Sequence, residues 1–232
     1  MFSKTTPLAL GLGALVAQPA LGAAFFDDFS SDTSANYTGT VTYGAAGGGF
    51  DVTGGTLNVD SSGGRTFDVF HSTANLEAGE YVSVDALPGQ PNNFYLTVST
   101  TTRHPGTGSE DGIRFAYTGS NTLGSRPYEN GASSGTIAYA PVFTDTAITM
   151  YILRNTDTSF SLGYDDGSGF TVLDTYSLAA VGSQDLFIGV EDFGSTMSFD
   201  NLTIDSISNI PEPGSLALLG LSALAMLRRR RA

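Results

Sequence analysis

Alternation of apolar and polar residues is the sequence feature that most constrains the fold of this chain. Between residues 25 and 208 it recurs in short runs that Gly, Asn and Asp interrupt, with almost no 3.6-residue periodicity. A period of two is typical of β-strands with one face in the core. The clearest runs lie at 81–87, 93–99, 112–118, 147–154, 159–165, 170–176, 185–191 and 197–205. About a dozen strands at this spacing, without helical segments, predict an all-β antiparallel two-sheet sandwich.

Two turns and one face assignment follow from the same pattern. Gly54 and Gly55 separate "FDVT" from "TLNVD", which predicts an early hairpin. The stretch "YDDGSGF" at 164–170 predicts a tight Asp-Gly turn between two later strands. Neighbouring residues of a strand point to opposite faces, so Ile113 and Arg114 are expected on opposite sides of their sheet.

The charge of the chain excludes one class of partner. The formal net charge is -13, from 23 acidic and 10 basic residues. Lys4 and the arginines 228–231 lie at the ends, so the segment between them is more acidic than the whole chain. Nucleic acid requires basic surfaces and is excluded as a partner. The chain has no Cys and therefore no disulfide, which a single domain of this length tolerates because it can bury a large core.

The N-terminal segment has the organisation of a secretory signal peptide. Lys4 precedes an apolar stretch at 8–17, and small residues follow up to Ala24. A basic end, a short apolar run and a small-residue cleavage site predict that residues 1–24 direct export. Cleavage after Gly22 and cleavage after Ala24 both remain open. A buried core helix is the alternative, which the polar, Gly-rich chain that follows disfavours.

The C-terminus ends in "IPEPGSLALLGLSALAMLRRRRA", residues 210–232. As a helix at ~1.5 Å per residue, the apolar run 215–227 is about 20 Å long, shorter than the ~30 Å hydrocarbon core of a bilayer. It spans a membrane only if the following arginines snorkel, and these are expected on the cytoplasmic side. The prolines of "PEP" hold that tripeptide extended before the membrane. A simple C-terminal membrane anchor is the alternative.

This order of features resembles the PEP-CTERM sorting signal of Gram-negative bacteria. The resemblance implies that residues 209–232 insert transiently into the inner membrane and are processed by an exosortase. It also implies release to the cell surface or extracellular matrix, in species that make exopolysaccharide. The residues that carry the resemblance are Pro211, Glu212, Pro213, Arg228, Arg229, Arg230 and Arg231.

The segment 25–208 resembles a concanavalin A-like (laminin G-like) jelly roll, which implies that its first and last strands are neighbours. The matching pieces are "FFDDFS" at 25–30, "GGTLNVD" at 54–60, "LGYDDGSGFTVLDT" at 162–175 and "MSFDNLTID" at 197–205. The Glu-x-Asp-x-x-Glu strand of retaining glycoside hydrolases on this fold is missing, and "VEDFGS" at 190–195 has the wrong spacing. We therefore interpret the acidic pairs 110–111 and 191–192 as surface charge.

Calcium is the one cofactor that the sequence suggests. If the first and last strands meet, Asp27 and Asp28 approach Asp200 and Asn201, and together they offer the oxygen ligands that calcium prefers. The alternative is that these residues mark strand ends and satisfy loop backbone.

A stretch from residue 100 to 135 holds the candidate ligand-binding residues, on what the sequence predicts to be long polar loops at the rim of the sandwich. Arginine recognises carboxylate or sulfate, and tyrosine offers a flat apolar face with a polar tip. This set predicts binding of an acidic extracellular polysaccharide; the alternative is that its arginines balance nearby acids. The residues are Arg103, His104, Arg114, Arg126 and Tyr128.

The two histidines, His71 and His104, lack a second His at zinc-ligand spacing, and we interpret both as surface residues.

These features predict an exported, non-enzymatic protein with a structural or adhesive role in exopolysaccharide or biofilm. A carbohydrate-binding, lectin-like module is one alternative. An atypical polysaccharide-acting enzyme is the other.

Overall fold

The computed structural model describes residues 24–210 apart from 45–46, 64–65, 87–92, 119–120, 144–146 and 195. Residues 1–23 of the predicted signal peptide and residues 211–232 of the predicted sorting segment lie outside the described residues. The described chain forms sixteen strands and two short 3-10 turns, Ser34–Asn36 and Ile207–Asn209. The strands are β1 (Phe25–Asp27), β2 (Tyr37–Tyr43), β3 (Gly49–Thr53), β4 (Thr56–Asp60), β5 (Thr66–Asn75), β6 (Glu80–Ala86), β7 (Phe94–Ser99), β8 (Gly112–Tyr117), β9 (Thr122–Glu129), β10 (Ala132–Ser133), β11 (Ile137–Val142), β12 (Ile148–Arg154), β13 (Ser159–Asp165), β14 (Thr171–Ser177), β15 (Phe187–Phe193) and β16 (Thr196–Ser206). Among the described residues, no helix has the length and apolar character needed to cross a membrane.

The strands form two 8-stranded antiparallel sheets, which confirms the predicted two-sheet sandwich. Sheet A has the order β14-β13-β12-β6-β16-β4-β3, with β1 paired to β16. Sheet B has the order β10-β9-β8-β7-β15-β5-β2, with β11 paired to β9. Hairpins join consecutive strands in both sheets, but the central pairs β6–β16, β12–β6, β7–β15 and β15–β5 join strands that are distant in sequence. Non-local pairing therefore holds the middle of each sheet together.

Apolar residues of both sheets fill the space between them, as the alternation predicts. In β7 the buried residues Phe94, Leu96 and Val98 point into the core, with polar or amphipathic residues between them. The Phe94 ring packs edge-to-face on Phe199 of sheet A, with centroids 5.6 Å apart. In a chain without Trp, such aromatic pairs contribute much of the apolar area that folding buries.

The first and last strands of the domain are neighbours, as the jelly-roll resemblance implies. In the antiparallel pair of β1 and β16, Phe25 lies opposite Ile204 and Asp27 opposite Leu202. The described chain therefore begins and ends at the same end of the sandwich. The turn from β15 to β16 lies at the other end.

The interpretation of 100–135 as long loops is wrong for its second half. Residues 122–133 form β9, a two-residue turn and β10, so Arg126 and Tyr128 stand on a strand. The turn residues Asn130 and Gly131 have φ of 53° and 72°, the left-handed geometry that Asn-Gly hairpins use. The polar composition of this hairpin hides the alternation that identifies other strands.

The position of Phe199 between the sheets can be tested by substitution. Phe199→Ala is expected to lower the free energy of unfolding by about 3–5 kcal/mol, because it removes a fully buried ring and leaves a cavity. The control Val172→Ala, on exposed edge strand β14, should change it by less than about 0.5 kcal/mol. Urea denaturation measures both. Equal losses in the two variants would contradict the core position of Phe199.

Candidate functional site

The outer face of sheet B brings together four of the five predicted ligand-binding residues. Arg114 of β8 lies opposite Arg126 of β9, and Tyr128 lies two residues further along β9. His104 reaches the same face from the segment 100–111, with its ring 5.7 Å from that of Tyr128. Arg103 is exposed and joins none of the contacts described for this group.

Arg114 is buried in an ion pair and is not a free surface cation. Its Nη2 lies 2.6 Å from Glu191 Oε2, and both side chains are almost fully buried. The guanidinium carbon lies 3.9 Å from the centroid of the Tyr95 ring, a cation–π contact. The hydroxyl of Thr97 donates to Glu191 Oε1 at 2.6 Å. This pair therefore carries little net charge toward solvent.

A second carboxyl group adjoins the pair. Asp68 of β5 lies opposite Glu191 of β15 in register. It accepts hydrogen bonds from the Thr42 hydroxyl at 3.2 Å and from the backbone N–H of His104 at 3.3 Å. Burial and the nearby negative charge of Glu191 raise the pKa of Asp68 well above its ordinary value, although Arg114 opposes the shift. Asp68 therefore keeps its proton over a wider pH range than an exposed aspartate.

The segment 100–111 covers these charged groups. A side chain at Gly106 would collide with the Tyr128 ring, and one at Gly131 would collide with the carbonyl of Gly108. Both glycines have left-handed φ, so they suit this close packing on two counts. The same cover half-buries His104, and that burial lowers the pKa of its imidazole.

Asp68 and Glu191 are two neighbouring carboxyl groups, as in the acid pair of a glycosidase, but a substrate cannot reach them. Two carboxyl groups that flank one glycosidic bond are typical of glycoside hydrolysis. Here Asp68 is 1% exposed and Glu191 0%, and each of their oxygens has a partner within the protein. In this arrangement they have a structural role.

The interpretation of the acidic pairs as surface charge is wrong for three of the four residues. Asp111, Glu191 and Asp192 are buried. Asp111 accepts a hydrogen bond from the backbone N–H of Asn130, and Asp192 accepts one from the Ser61 hydroxyl. Glu191 lies beneath the segment 100–111. Burial of these acids depends on tertiary packing, which the sequence pattern does not reveal.

An open pocket of about 260 Å³ lies beside the buried pair. Arg126 is exposed at its wall and donates from Nε and Nη2 to the Thr136 hydroxyl, at 2.9 and 2.5 Å. None of the residues described as lining the pocket is acidic. They are Asn93, Tyr95, Arg114, Ala116, Thr118, Ser125, Arg126 and Thr136.

Tyr95 and Asn93 were missed as site residues because they lie in β7 and directly before it, just outside the predicted 100–135 stretch, and only strand pairing brings Tyr95 next to β8. The alternation in 93–99 was the available signal for Tyr95. It places Tyr95 on the face opposite the core residues Phe94 and Leu96.

The predicted calcium ligands lie on or directly after the paired strands β1 and β16. Both carboxylate oxygens of Asp27, however, already accept hydrogen bonds within the protein. Its Oδ1 accepts from the backbone N–H of Phe29, and its Oδ2 accepts from the Tyr37 hydroxyl, both at 2.9 Å. Asp28 is exposed and accepts from the backbone N–H of Ser30.

The other two predicted ligands lie at a bulge in β16. Asp200 accepts from the backbone N–H of Asn201, and the Asn201 amide donates to Asp85 at 2.8 Å. Burial raises the pKa of Asp200, and Asp85 and Asp28 raise it further. In the part of the chain that the structure describes, no group of three or more His, Asp or Glu residues is placed to hold a metal ion. Calcium at Asp27, Asp28, Asp200 and Asn201 stays a prediction.

His71 is a core residue, so its interpretation as a surface residue is wrong. Its ring packs edge-to-face against Phe25 and Tyr37, with centroids 4.7 and 5.1 Å away. Its Nδ1 accepts from the backbone N–H of Ala74 at 2.8 Å. Burial lowers the pKa of this imidazole.

Comparison with protein families identifies the C-terminal segment. Residues 209–231 match the model of the PEP-CTERM protein-sorting motif. The chain carries a PEP-CTERM sorting signal. The match covers the proline pair, the apolar run and the arginines 228–231, and it confirms the resemblance. The PEP-CTERM segment beyond residue 210 lies outside the described residues.

Solved structures confirm the galectin-like and concanavalin-like fold of the segment before the PEP-CTERM motif. A Bacillus subtilis protein of unknown function with a galectin-like fold is 8% identical, with a TM-score of 0.60 over 79% of this chain and 96% of that one. The endo-β-1,3-glucanase of Pyrococcus furiosus is 13% identical, with a TM-score of 0.58 over 79% and 94%. The exoplasmic/lumenal domain of VIP36, in a form bound to Ca2+ and Man3GlcNAc, is 8% identical, with a TM-score of 0.54 over 79% and 88%. No curated protein matches the chain in sequence.

The pKa shift of Asp68 predicts how stability changes with pH. Below the pKa of an unfolded aspartate, Asp68 is protonated in both states. As the pH rises, the unfolded state ionises first, so stability is lost up to the higher folded-state pKa. Asp68→Asn removes the ionisation, and the Thr42 hydroxyl can accept from the new amide. The variant should therefore gain stability relative to wild type at pH 8, with a smaller difference at pH 5.

Urea midpoints at the two pH values measure this effect. The matched control is Asp157→Asn, an exposed position that should show no pH-dependent gain. A pH profile of Asp68→Asn parallel to that of wild type would contradict the protonated, buried state of Asp68.

Proposed function

We propose that this is an exported, non-enzymatic protein that an exosortase sorts, and that its sandwich adheres to acidic extracellular polysaccharide. The observation that carries the adhesive role is the pocket on sheet B. It has two arginines and no acidic residue among its described lining residues, in a chain of net charge -13. The lining therefore differs in sign from the rest of the molecule and suits a ligand that bears carboxylate or sulfate.

The two arginines have different roles in this proposal. Glu191 neutralises Arg114, which forms part of the pocket wall. Arg126 is exposed, and its described partner is the neutral Thr136 hydroxyl. A ligand carboxylate can take the fork of Arg126 in two parallel hydrogen bonds, which are stronger than bonds to a hydroxyl. Asn93 and Thr118 supply further polar groups for sugar hydroxyls.

The fold and the sorting signal both support this proposal. Among the structural neighbours, the Pyrococcus furiosus protein is a glucanase and the VIP36 domain has a glycan bound. A sandwich of this kind therefore accommodates carbohydrate in other proteins. The PEP-CTERM motif implies export through an exosortase, and we propose the cell surface or extracellular matrix of a Gram-negative bacterium as the destination.

The sorting role can be tested in a host that has an exosortase. Replacement of residues 211–213 by alanines should block removal of the tail, because it destroys the extended tripeptide before the apolar run. The uncleaved chain should then accumulate in the membrane fraction, as an immunoblot of fractions would show. Ser206→Ala, just before the matched segment, is the control and should be processed normally. Equal processing of both variants would refute recognition of the tripeptide.

Binding can be tested with the full chain in detergent, using polygalacturonate as the acidic polymer and dextran as the neutral one. Wild type should bind polygalacturonate and not dextran. Arg126→Ala should weaken binding by roughly tenfold to a hundredfold, the value of a hydrogen bond to a charged group. Isothermal titration calorimetry measures the affinities.

The control for this experiment is Arg103→Ala, which removes an exposed arginine that is not among the described lining residues. It should bind as wild type does. An equal loss in both arginine variants would show that only overall charge matters. Absence of polygalacturonate binding by wild type would remove the proposed adhesive role toward uronic acid polymers.

A further inference from the structure

Two exposed aromatic side chains lie on the outer face of sheet B, outside the pocket. Tyr43 of β2 is 68% exposed and Phe193 of β15 is 38% exposed. Each lies opposite Thr66 of β5 in register, one on either side. Directly opposed residues of neighbouring strands share a face of the sheet, so both rings flank Thr66 on one face. We call these three residues the aromatic row.

The aromatic row is on the same face as the pocket. Phe193 is two positions from Glu191, so their side chains share the outer face of β15. The backbone N–H of Phe193 donates to the carbonyl of Asn93 at 3.0 Å, and Asn93 lines the pocket. With strands ~4.8 Å apart, the distance across the sheet from Tyr43 to Asn93 is about 14 Å. The row and the pocket therefore lie on the same face of sheet B, within the reach of one oligosaccharide, with the buried Thr66 beneath the two rings.

The chemistry of this surface selects a linear acidic glycan over an apolar partner. The two rings are separated by Thr66, so they form a narrow strip with no broad apolar patch of the kind that protein interfaces use. A flat aromatic ring packs well against the C–H face of a sugar ring, while its edge remains accessible to water. Arg126 at the pocket supplies the positive charge that a uronic acid unit needs.

We propose that Tyr43 and Phe193 are stacking platforms that extend the Arg126 pocket into a groove for several consecutive uronic acid units. This inference rests on the proposed function, because it assumes that the pocket binds an acidic glycan. The pocket takes a carboxylate of one unit, and the aromatic row holds the following units across β15, β5 and β2. Affinity should therefore rise with the length of the oligosaccharide until the row is filled.

The test uses the full chain in detergent and galacturonate oligomers of two and eight units. Wild type should bind the octamer more tightly than the dimer. Tyr43→Ala and Phe193→Ala should each weaken octamer binding by about tenfold, the order expected for loss of one aromatic contact, and leave dimer binding unchanged. Arg126→Ala should weaken both. Tyr43→Phe keeps the ring and should bind the octamer as wild type does.

The matched control is Phe26→Ala, which removes an exposed aromatic side chain from sheet A and should bind both oligomers normally. Urea midpoints identify any variant that is misfolded. If both aromatic variants keep wild-type octamer affinity, or lose dimer and octamer affinity equally, the stacking row is refuted. The proposed function still stands in that case, provided that Arg126→Ala weakens both oligomers. If wild type binds neither oligomer, the proposed function fails and the row fails with it.

Discussion

The buried ion pair between Arg114 and Glu191 is the interaction on which the outer face of sheet B depends. Removal of two charges from water costs several kcal/mol per ion, and the attraction between them offsets this only with good geometry and further hydrogen bonds. Thr97 and the Tyr95 ring supply those contacts from the strand between the two ions. The segment 100–111 then shields the pair. The buried charges therefore require that segment to stay in place above them.

The ion pair also determines which charge faces solvent. Arg114 and Arg126 are cross-strand neighbours, and two free guanidinium groups at that separation would repel each other. Because Glu191 neutralises one of them, the other can remain exposed at the pocket wall without that repulsion. The result is a locally basic surface on an acidic protein. A buried acid beside Arg114 thus makes this locally basic surface compatible with stable folding.

The direction of the strands relates this surface to the sorting signal. Antiparallel pairing of β1 with β16 puts the two ends of the described chain at one end of the sandwich. β16 has 11 residues, and at ~3.4 Å each it extends about 37 Å toward the turn that joins it to β15. Phe193 lies at that turn. The aromatic row and the last described residues, 207–210, therefore lie at opposite ends of the domain.

Local sequence patterns predicted the fold class, eight of the strands and one of the hairpins. Alternation identified eight strands to within about two residues, the usual uncertainty of such boundaries. The glycines 54 and 55 predicted the hairpin of β3 and β4. These predictions succeeded because a period of two and a turn residue are properties of a few consecutive positions. The C-terminal sorting motif is local in the same way. The pairing of the first and last strands is long-range, and it was expected only from the jelly-roll resemblance.

Only the tertiary structure decided which charges are buried and which side chains meet. The Thr97 to Glu191 hydrogen bond joins residues 94 positions apart, and Asp68 approaches the same glutamate from a third strand. No periodicity within one strand specifies that order of strands. For the same reason the sequence placed Glu191 on the surface and left Tyr95 out of the site. The sequence near a residue determines whether that residue lies in a strand and which face of the strand its side chain occupies. Which side chains it meets across the sheet depends on non-local strand pairing.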